Sequence, residues 1–222
     1  MQAQETKEKE TLTAIDPFVM KFVMKQWNRP ETIAKLIIMC DEYAEDWDGI
    51  HQIDRGAKGS LSGTQTLKQN IFENAMIEKY PVIKDLKKMC RQMVYDYFKA
   101  NTNFQQPEYF KLEGWFNKLD GESTHPAHSH GKVDLVINLY LSCPVGEDRH
   151  GRKIQTRICF LAPLHLTNCQ TYLNERSTAV IIPKVGEMIA SPPMYIHYIP
   201  ATHAKEGEWR RSISINVVKV VM

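Results

Sequence analysis

The densest set of metal-capable side chains in the sequence is Thr124-His125-Pro126-Ala127-His128-Ser129-His130. Alternate residues on extended backbone project to the same side, so the imidazoles of His128 and His130 can reach one ion. A third donor has to come from another segment, and His197, in Pro192-Pro193-Met194-Tyr195-Ile196-His197, is the best placed. Three neutral imidazoles, or two with a carboxylate, can hold one face of a divalent ion and leave its other positions open to small ligands. Thirteen residues after His197 comes Arg210-Arg211-Ser212-Ile213-Ser214-Ile215-Asn216, in which polar and apolar side chains alternate. A lone His-x-His is a weak sign of a metal, because such pairs occur on ordinary strands. The ordered set of His-x-His, distal His and Arg-x-Ser is far more specific.

These side chains need a frame. Residues 1–13 are rich in Glu, Lys, Gln and Thr with little to bury, and are expected to form a disordered tail. A single domain is expected over residues 14–222, since no Pro- or Ser-rich linker divides it. Residues 15–24 are apolar enough for a short strand. Asn28-Arg29-Pro30-Glu31 reads as a helix start, with Pro30 near the first helical position. Ile33, Leu36, Ile37, Cys40, Ala44 and Trp47 then recur at helical spacing. Residues 48–63, with Gly49, Gly56, Gly59 and Gly63, read as a long loop. A second helix is expected to start near Pro81, burying Ile83, Leu86, Cys90, Met93, Val94 and Tyr97.

From Pro107 onward the segments turn short, β-branched and aromatic, and strands are expected at 108–119, 133–141, 154–160, 179–182, 187–191 and 209–221. A mainly helical 14–106 followed by a strand-rich 107–222 points to an α+β fold: a sandwich or barrel with helices on one outer face. Over residues 133–141 the odd positions Val133, Leu135, Ile137, Leu139 and Leu141 are apolar, while the even ones are Asp134, Val136, Asn138 and Tyr140. Over residues 209–217, Arg210, Ser212, Ser214 and Asn216 occupy one side, and Arg211, Ile213, Ile215 and Val217 the other. Each strand therefore has one apolar and one hydrogen-bonding side. Under a helical cover the polar side would point inward, which is costly unless it binds something. A solvated outer face is the alternative, and the strand by itself does not choose.

The bulk numbers bound the partners. Of 222 residues, 43% are hydrophobic and 24% charged, and the net charge of +2 is not gathered into basic blocks. Nothing electrostatic calls for nucleic acid, so a neutral or small anionic molecule is the expected partner. The five cysteines form no C-x-x-C pair, which argues for a reducing compartment. No apolar run approaches the roughly 18 residues of a membrane span, so a soluble, cytoplasmic protein with no membrane partner is expected. Oligomeric state is not legible, and a homodimer is left open.

Taken together, Trp115-Phe116-Asn117, His128-Ser129-His130, Tyr140-Leu141, Val185-Gly186-Glu187, Pro193 to His197 and the Arg210 to Asn216 run resemble the iron(II)- and 2-oxoglutarate-dependent oxygenases. The likeness is greatest to a branch of small bacterial and phage members with a His-x-His motif. It covers residues 114–218 well, and the helical half only loosely, through Leu61-Ser62-Gly63-Thr64-Gln65. The resemblance implies a double-stranded β-helix, a cupin-like jelly roll with the N-terminal helices packed on the outer face of its major sheet.

It also implies Fe(II) and 2-oxoglutarate as cofactors. His128, His130 and His197 match the metal ligands, with His130 standing where most of the superfamily has Asp. Asp134, at the same strand parity, is the alternative third ligand. His125 comes after it, because Pro126 is expected to turn it away. Arg210 matches the residue that grips the distal carboxylate of 2-oxoglutarate, a task for which a forked guanidinium suits better than Lys. Ser212 would add a hydrogen bond, and Asn117 and Asn138 could touch the cosubstrate. Arg211, of opposite parity, reads as a surface residue, while Trp115 and Tyr140 read as core. His51, His150, His165 and His203 carry no expected role.

The implied activity is hydroxylation of an unactivated C–H bond of a small molecule or amino acid, with 2-oxoglutarate and O2 converted to succinate and CO2. Residues 48–63 and 144–153 are lid candidates from composition. Two other readings fit part of the pattern: a three-histidine cupin-type metal dioxygenase with no use for 2-oxoglutarate, and a metal-free jelly-roll binding module. The sequence does not choose among hydroxylation, desaturation, cyclisation and halogenation.

Overall fold

The two long helices begin where the sequence signals them. In the computed structural model, which describes residues 12–15, 21–45, 51–52, 64–65, 70–102, 106–161 and 178–222, α1 spans Pro30–Glu45 and α3 spans Val82–Asn101. Each starts at or just after a proline, whose missing N–H would be unpaired in a first turn anyway. A short helix, α2 (Asn74–Lys79), precedes α3 and has too few residues for its periodicity to be read from sequence.

The strands are β1 (Leu12–Ile15), β2 (Phe22–Gln26), β3 (His51–Gln52), β4 (Thr64–Gln65), β5 (Tyr109–Leu119), β6 (His125–His128), β7 (Leu135–Ser142), β8 (Val145–Glu147), β9 (Lys153–Gln155), β10 (Ile158–Leu161), β11 (Thr178–Ile181), β12 (Glu187–Ser191), β13 (His197–Ile199) and β14 (Arg210–Val221). Among the described residues they make an eight-stranded sheet ordered β1-β2-β12-β7-β14-β5-β4-β3, a four-stranded sheet ordered β11-β10-β13-β6, and the β8-β9 hairpin. Neighbours pair antiparallel throughout.

Two cores follow from strand parity. On one face of the large sheet, Leu135, Ile137, Leu139 and Leu141 of β7 and Ile213, Ile215 and Val217 of β14 join Leu36, Met39, Leu86 and Met93 of the helices in one buried cluster. On the other face, Tyr140, Ile189 and Phe22 pack with Ile158, Phe160, Tyr195 and Ile199 of the smaller sheet and its approaches. The hydrogen-bonding sides of β7 and β14 therefore face inward, between the sheets.

Several expectations need correction. The N-terminal half, expected to be mainly helical, also supplies both edges of the large sheet, β1 and β2 on one side and β3 and β4 on the other. The strand expected at 15–24 is two antiparallel strands, β1 and β2. The one expected at 154–160 divides into β9 and β10, because Lys153–Gln155 pairs with β8 rather than continuing. Residues 144–153 are accordingly a braced hairpin, not a free loop. Asp148 Oδ1 accepts from the His150 and Arg152 N–H groups, and Asp148 Oδ2 accepts from Arg152 Nε at 2.7 Å. Residues 1–11 of the expected tail, and most of the expected 48–63 loop, lie outside the described residues, as do His165 and Cys169. No helix among the described residues is long and apolar enough to cross a membrane.

Candidate functional site

The pairing of β13 with β6 sets His197 opposite His128, so their rings lie side by side with centroids 4.3 Å apart. His130 follows β6, where its N–H donates to the Pro193 carbonyl at 3.0 Å, tying it to the turn that leads into β13. Its ring lies 5.2 Å from that of His128 and 5.3 Å from that of His197, nearly parallel to the latter at 8°. One donor nitrogen from each of the three falls within 4.8 Å of the others, close enough for one ion to lie among them.

The state of these nitrogens follows from their partners. His128 Nδ1 is 2.8 Å from the Pro126 carbonyl, and His197 Nδ1 is 3.2 Å from the Tyr195 carbonyl. A carbonyl only accepts, so each Nδ1 carries the proton and each Nε2 is left with its lone pair. Burial, and next the neighbouring His128, push the His197 imidazole down to about 3 and that of His130 down to about 4. Both are neutral near pH 7, the form that binds a metal.

A buried cation stands in the same cavity. Arg210 is 3% exposed, yet its Nε and Nη1 have no hydrogen-bond partner. Its Nη2 donates to Ser212 Oγ at 3.4 Å, and no ion pair among the described residues includes it. The guanidinium lies 5.5 Å from the Tyr140 ring, whose hydroxyl is also buried without a partner. A buried, uncompensated charge costs several kcal/mol, so the arrangement fits an anion that would complete it. Beside it, Asn117 Nδ2 donates to Ser214 Oγ at 2.9 Å, and Ser214 Oγ donates to Asn138 Oδ1 at 2.8 Å. Asn138 Nδ2 remains without an acceptor. The cavity is lined by the three histidines, Arg210, Asn117, Asn138 and Ser214, with Trp115, His125, Ile158 and Ile199 closing it.

The structure thus brings together His128, His130, His197, Arg210, Asn117 and Asn138, with Ser212 buried behind Arg210. It separates Asp134, which is exposed and accepts the Val220 N–H at 3.0 Å, far from a ligand's role among the imidazoles. His125 is not turned away. Its ring lies 4.3 Å from that of His128 inside the cavity. The cause is a register irregularity: His128 faces His197 while His125 faces Ile199, so three steps on β6 match two on β13 and the side-chain alternation is reset. Burial, then His128, lower the His125 imidazole to about 4.

Arg211 is not a surface residue but forms a two-point ion pair with Asp41 of α1, at 2.9 Å through both Nε and Nη2. Trp115, expected in the core, lines the cavity and stacks on His130. Ser214 also lines the cavity, and its parity with Arg210 and Ser212 is the sequence signal for it. The imidazoles of His150 and His203 bond to Arg149 and Glu122 on the surface.

No family model matches the chain, and no curated protein matches it in sequence. Solved structures do match. A prolyl hydroxylase from Trichoplax adhaerens, in complex with a hypoxia inducible factor oxygen degradation domain peptide, is 10% identical with a TM-score of 0.58, over 89% of this chain and 83% of its own. A Pseudomonas putida prolyl-4-hydroxylase is 12% identical with a TM-score of 0.57, over 89% and 92%. EvdO2 from Micromonospora carbonacea var. aurantiaca, complexed with 2-oxoglutarate, is 11% identical with a TM-score of 0.57, over 96% and 95%. At such identities the likeness is one of fold: the chain has the jelly-roll fold of the 2-oxoglutarate- and iron(II)-dependent oxygenases.

Proposed function

We propose that the protein is an iron(II)- and 2-oxoglutarate-dependent oxygenase that hydroxylates an unactivated C–H bond of a small molecule or amino acid. The observation that carries this reading is that three converging imidazoles share one cavity with a buried guanidinium that has no counter-ion among the described residues. His128, His130 and His197 would hold the iron, which with 2-oxoglutarate and O2 supplies the oxidation and releases succinate and CO2. The His128-x-His130 pair supports assigning the chain, within that superfamily, to the small bacterial and phage branch that carries a His-x-His motif.

Each protein group has a task in this reading. The buried Arg210 guanidinium takes the distal carboxylate of the cosubstrate, and Ser212, already an acceptor from Nη2, turns its own O–H toward the same anion. The Tyr140 hydroxyl and Asn138 Nδ2 are further buried donors free to join. Ile158 and Ile199 keep water from the reacting end, where fixed polar groups act more strongly than in bulk solvent. With imidazole in place of a carboxylate, the protein's own donors bring no negative charge, so the dianionic cosubstrate supplies the balance.

The test is an anaerobic titration of the metal-free protein with Fe(II) and 2-oxoglutarate, which should produce a weak visible charge-transfer band only when both are present. No band under those conditions sinks the proposal. The absence of a carboxylate from the donor set favours one second reading, a three-histidine metal dioxygenase. That enzyme would bind Fe(II) without the band and would leave Arg210 without a function.

A further inference from the structure

Two of the three imidazoles are gripped from behind by an oxygen. Pro126 O holds Nδ1 of His128 and Tyr195 O holds Nδ1 of His197. Among the described residues, His130 has no backbone oxygen on either ring nitrogen. Its plane is set by stacking: Trp115 lies against it at 6.1 Å and 24°, and His197 lies nearly parallel at 5.3 Å. Stacking fixes the plane of a ring but leaves open the half-turn about Cβ–Cγ that exchanges its two edges, and which of its nitrogens carries the proton. That freedom matters more here than for the carboxylate usually expected at this position. A carboxylate can ligate through either oxygen, whereas an imidazole offers one in-plane lone pair that must be aimed.

The group facing His130 is Asn216, fourth in the inward row that begins at Arg210 and diagonal across the β5–β14 ladder from Trp115, whose direct partner is Ser214. The Asn216 side chain lies within interaction range of the His130 ring. Asn216 Oδ1 is sealed from water and makes no hydrogen bond of good geometry. A buried acceptor without a donor calls for one, and the ring N–H of His130 is the donor its position offers.

We propose that Asn216 is the positioning residue of His130: Oδ1 accepts the ring N–H when the other ring nitrogen binds the metal, as Pro126 O and Tyr195 O serve the other two imidazoles. The inference rests on the reading that the three histidines hold a divalent ion. Such outer contacts fix the tautomer, raise the basicity of the ligand, and are worth about 10- to 100-fold in metal affinity.

The experiment uses the full chain, 15N-labelled and loaded with Zn(II), with long-range proton–nitrogen correlations recorded on the imidazoles. Wild type should show one protected ring N–H on each of His128, His130 and His197. Asn216→Leu should lose the His130 signal alone and bind Co(II), titrated by its visible d–d bands, about 10- to 100-fold more weakly. Asn216→Asp keeps an acceptor and should retain both the signal and the affinity. If Asn216→Leu does not fold, judged by circular dichroism, the smaller Asn216→Ala carries the same comparison. An unchanged His130 N–H and unchanged Co(II) affinity in the folded Leu or Ala variant overturn the assignment. Wild type whose three imidazoles ignore Zn(II) overturns the metal centre itself, a result visible before any variant is made.

Discussion

Arg210 illustrates how a residue can be costly to the fold and useful to the site. Its guanidinium is buried with two N–H groups unpartnered, so Arg210→Leu should melt at the same temperature as wild type or higher, because no uncompensated charge is left inside. The same variant should bind 2-oxoglutarate about 100-fold more weakly, the value of roughly 3 kcal/mol expected for charge-assisted hydrogen bonds. Melting curves and the anaerobic titration read the two effects separately, and normal cosubstrate affinity in the variant would remove the carboxylate role. The imidazoles give a second prediction at this scale. In the fold His197 and His130 titrate at about 3 and about 4, against about 6.5 in an unfolded chain. Between those values the unfolded chain binds more protons. The metal-free protein should therefore keep its full stability above about pH 6.5 and lose it as pH falls toward 4. His197→Gln should flatten that fall in melting temperature, and an equally steep fall in the variant would assign it to other groups.

At the scale of elements, β14 does two jobs with its two sides. Its inward row presents Arg210, Ser212, Ser214 and Asn216, while its outward row reaches the helices through Ile213, Ile215 and Val217. Arg211 continues that outward row and meets Asp41, which Lys118 of β5 also contacts at 2.8 Å. Burial pushes the Asp41 carboxyl up, but the hydrogen bonds from Arg211 and Lys118 outweigh it and hold the carboxyl below its ordinary range. Arg211→Ala should cost about 1–2 kcal/mol of stability in urea denaturation, since Lys118 still faces Asp41, and should leave 2-oxoglutarate binding intact. A loss of binding would mean that the two sides of β14 are not independent. Gly186, at the turn into β12, ties that strand to its neighbours by accepting the Trp27 N–H and donating to the Tyr140 carbonyl. Its φ is +82°, and an added Cβ would sit 2.9 Å from the Trp27 carbonyl oxygen. Gly186→Ala should therefore destabilise by about 1–3 kcal/mol in the same measurement.

For the whole molecule, the two sheets are joined across the site as well as through the core. His128 and His197 lie on strands of the small sheet, whereas Arg210, Asn117 and Asn138 lie on the large one. A metal held in the native state alone stabilises by mass action, by about 2.7 kcal/mol at a hundredfold excess over Kd. For a chain of this length that is a rise of roughly 5–10 °C in Tm, measurable with Co(II) and expected to vanish in His197→Ala. What the sequence by itself determined is everything that depends on local periodicity: the two long helices, the division of β14 and of most of β7 into a polar and an apolar side, and the order in which donors and guanidinium occur. Side-chain alternation is a property of a single strand, so it survives without knowledge of the neighbours. Only the tertiary structure decided that Asp134 is held by Val220, that Arg211 finds Asp41 from 170 residues away, and that His125 faces the cavity. Each of these turns on register between strands or on a partner remote in the chain, and a one-residue irregularity such as that between β6 and β13 reverses a side chain without leaving any mark in the local pattern.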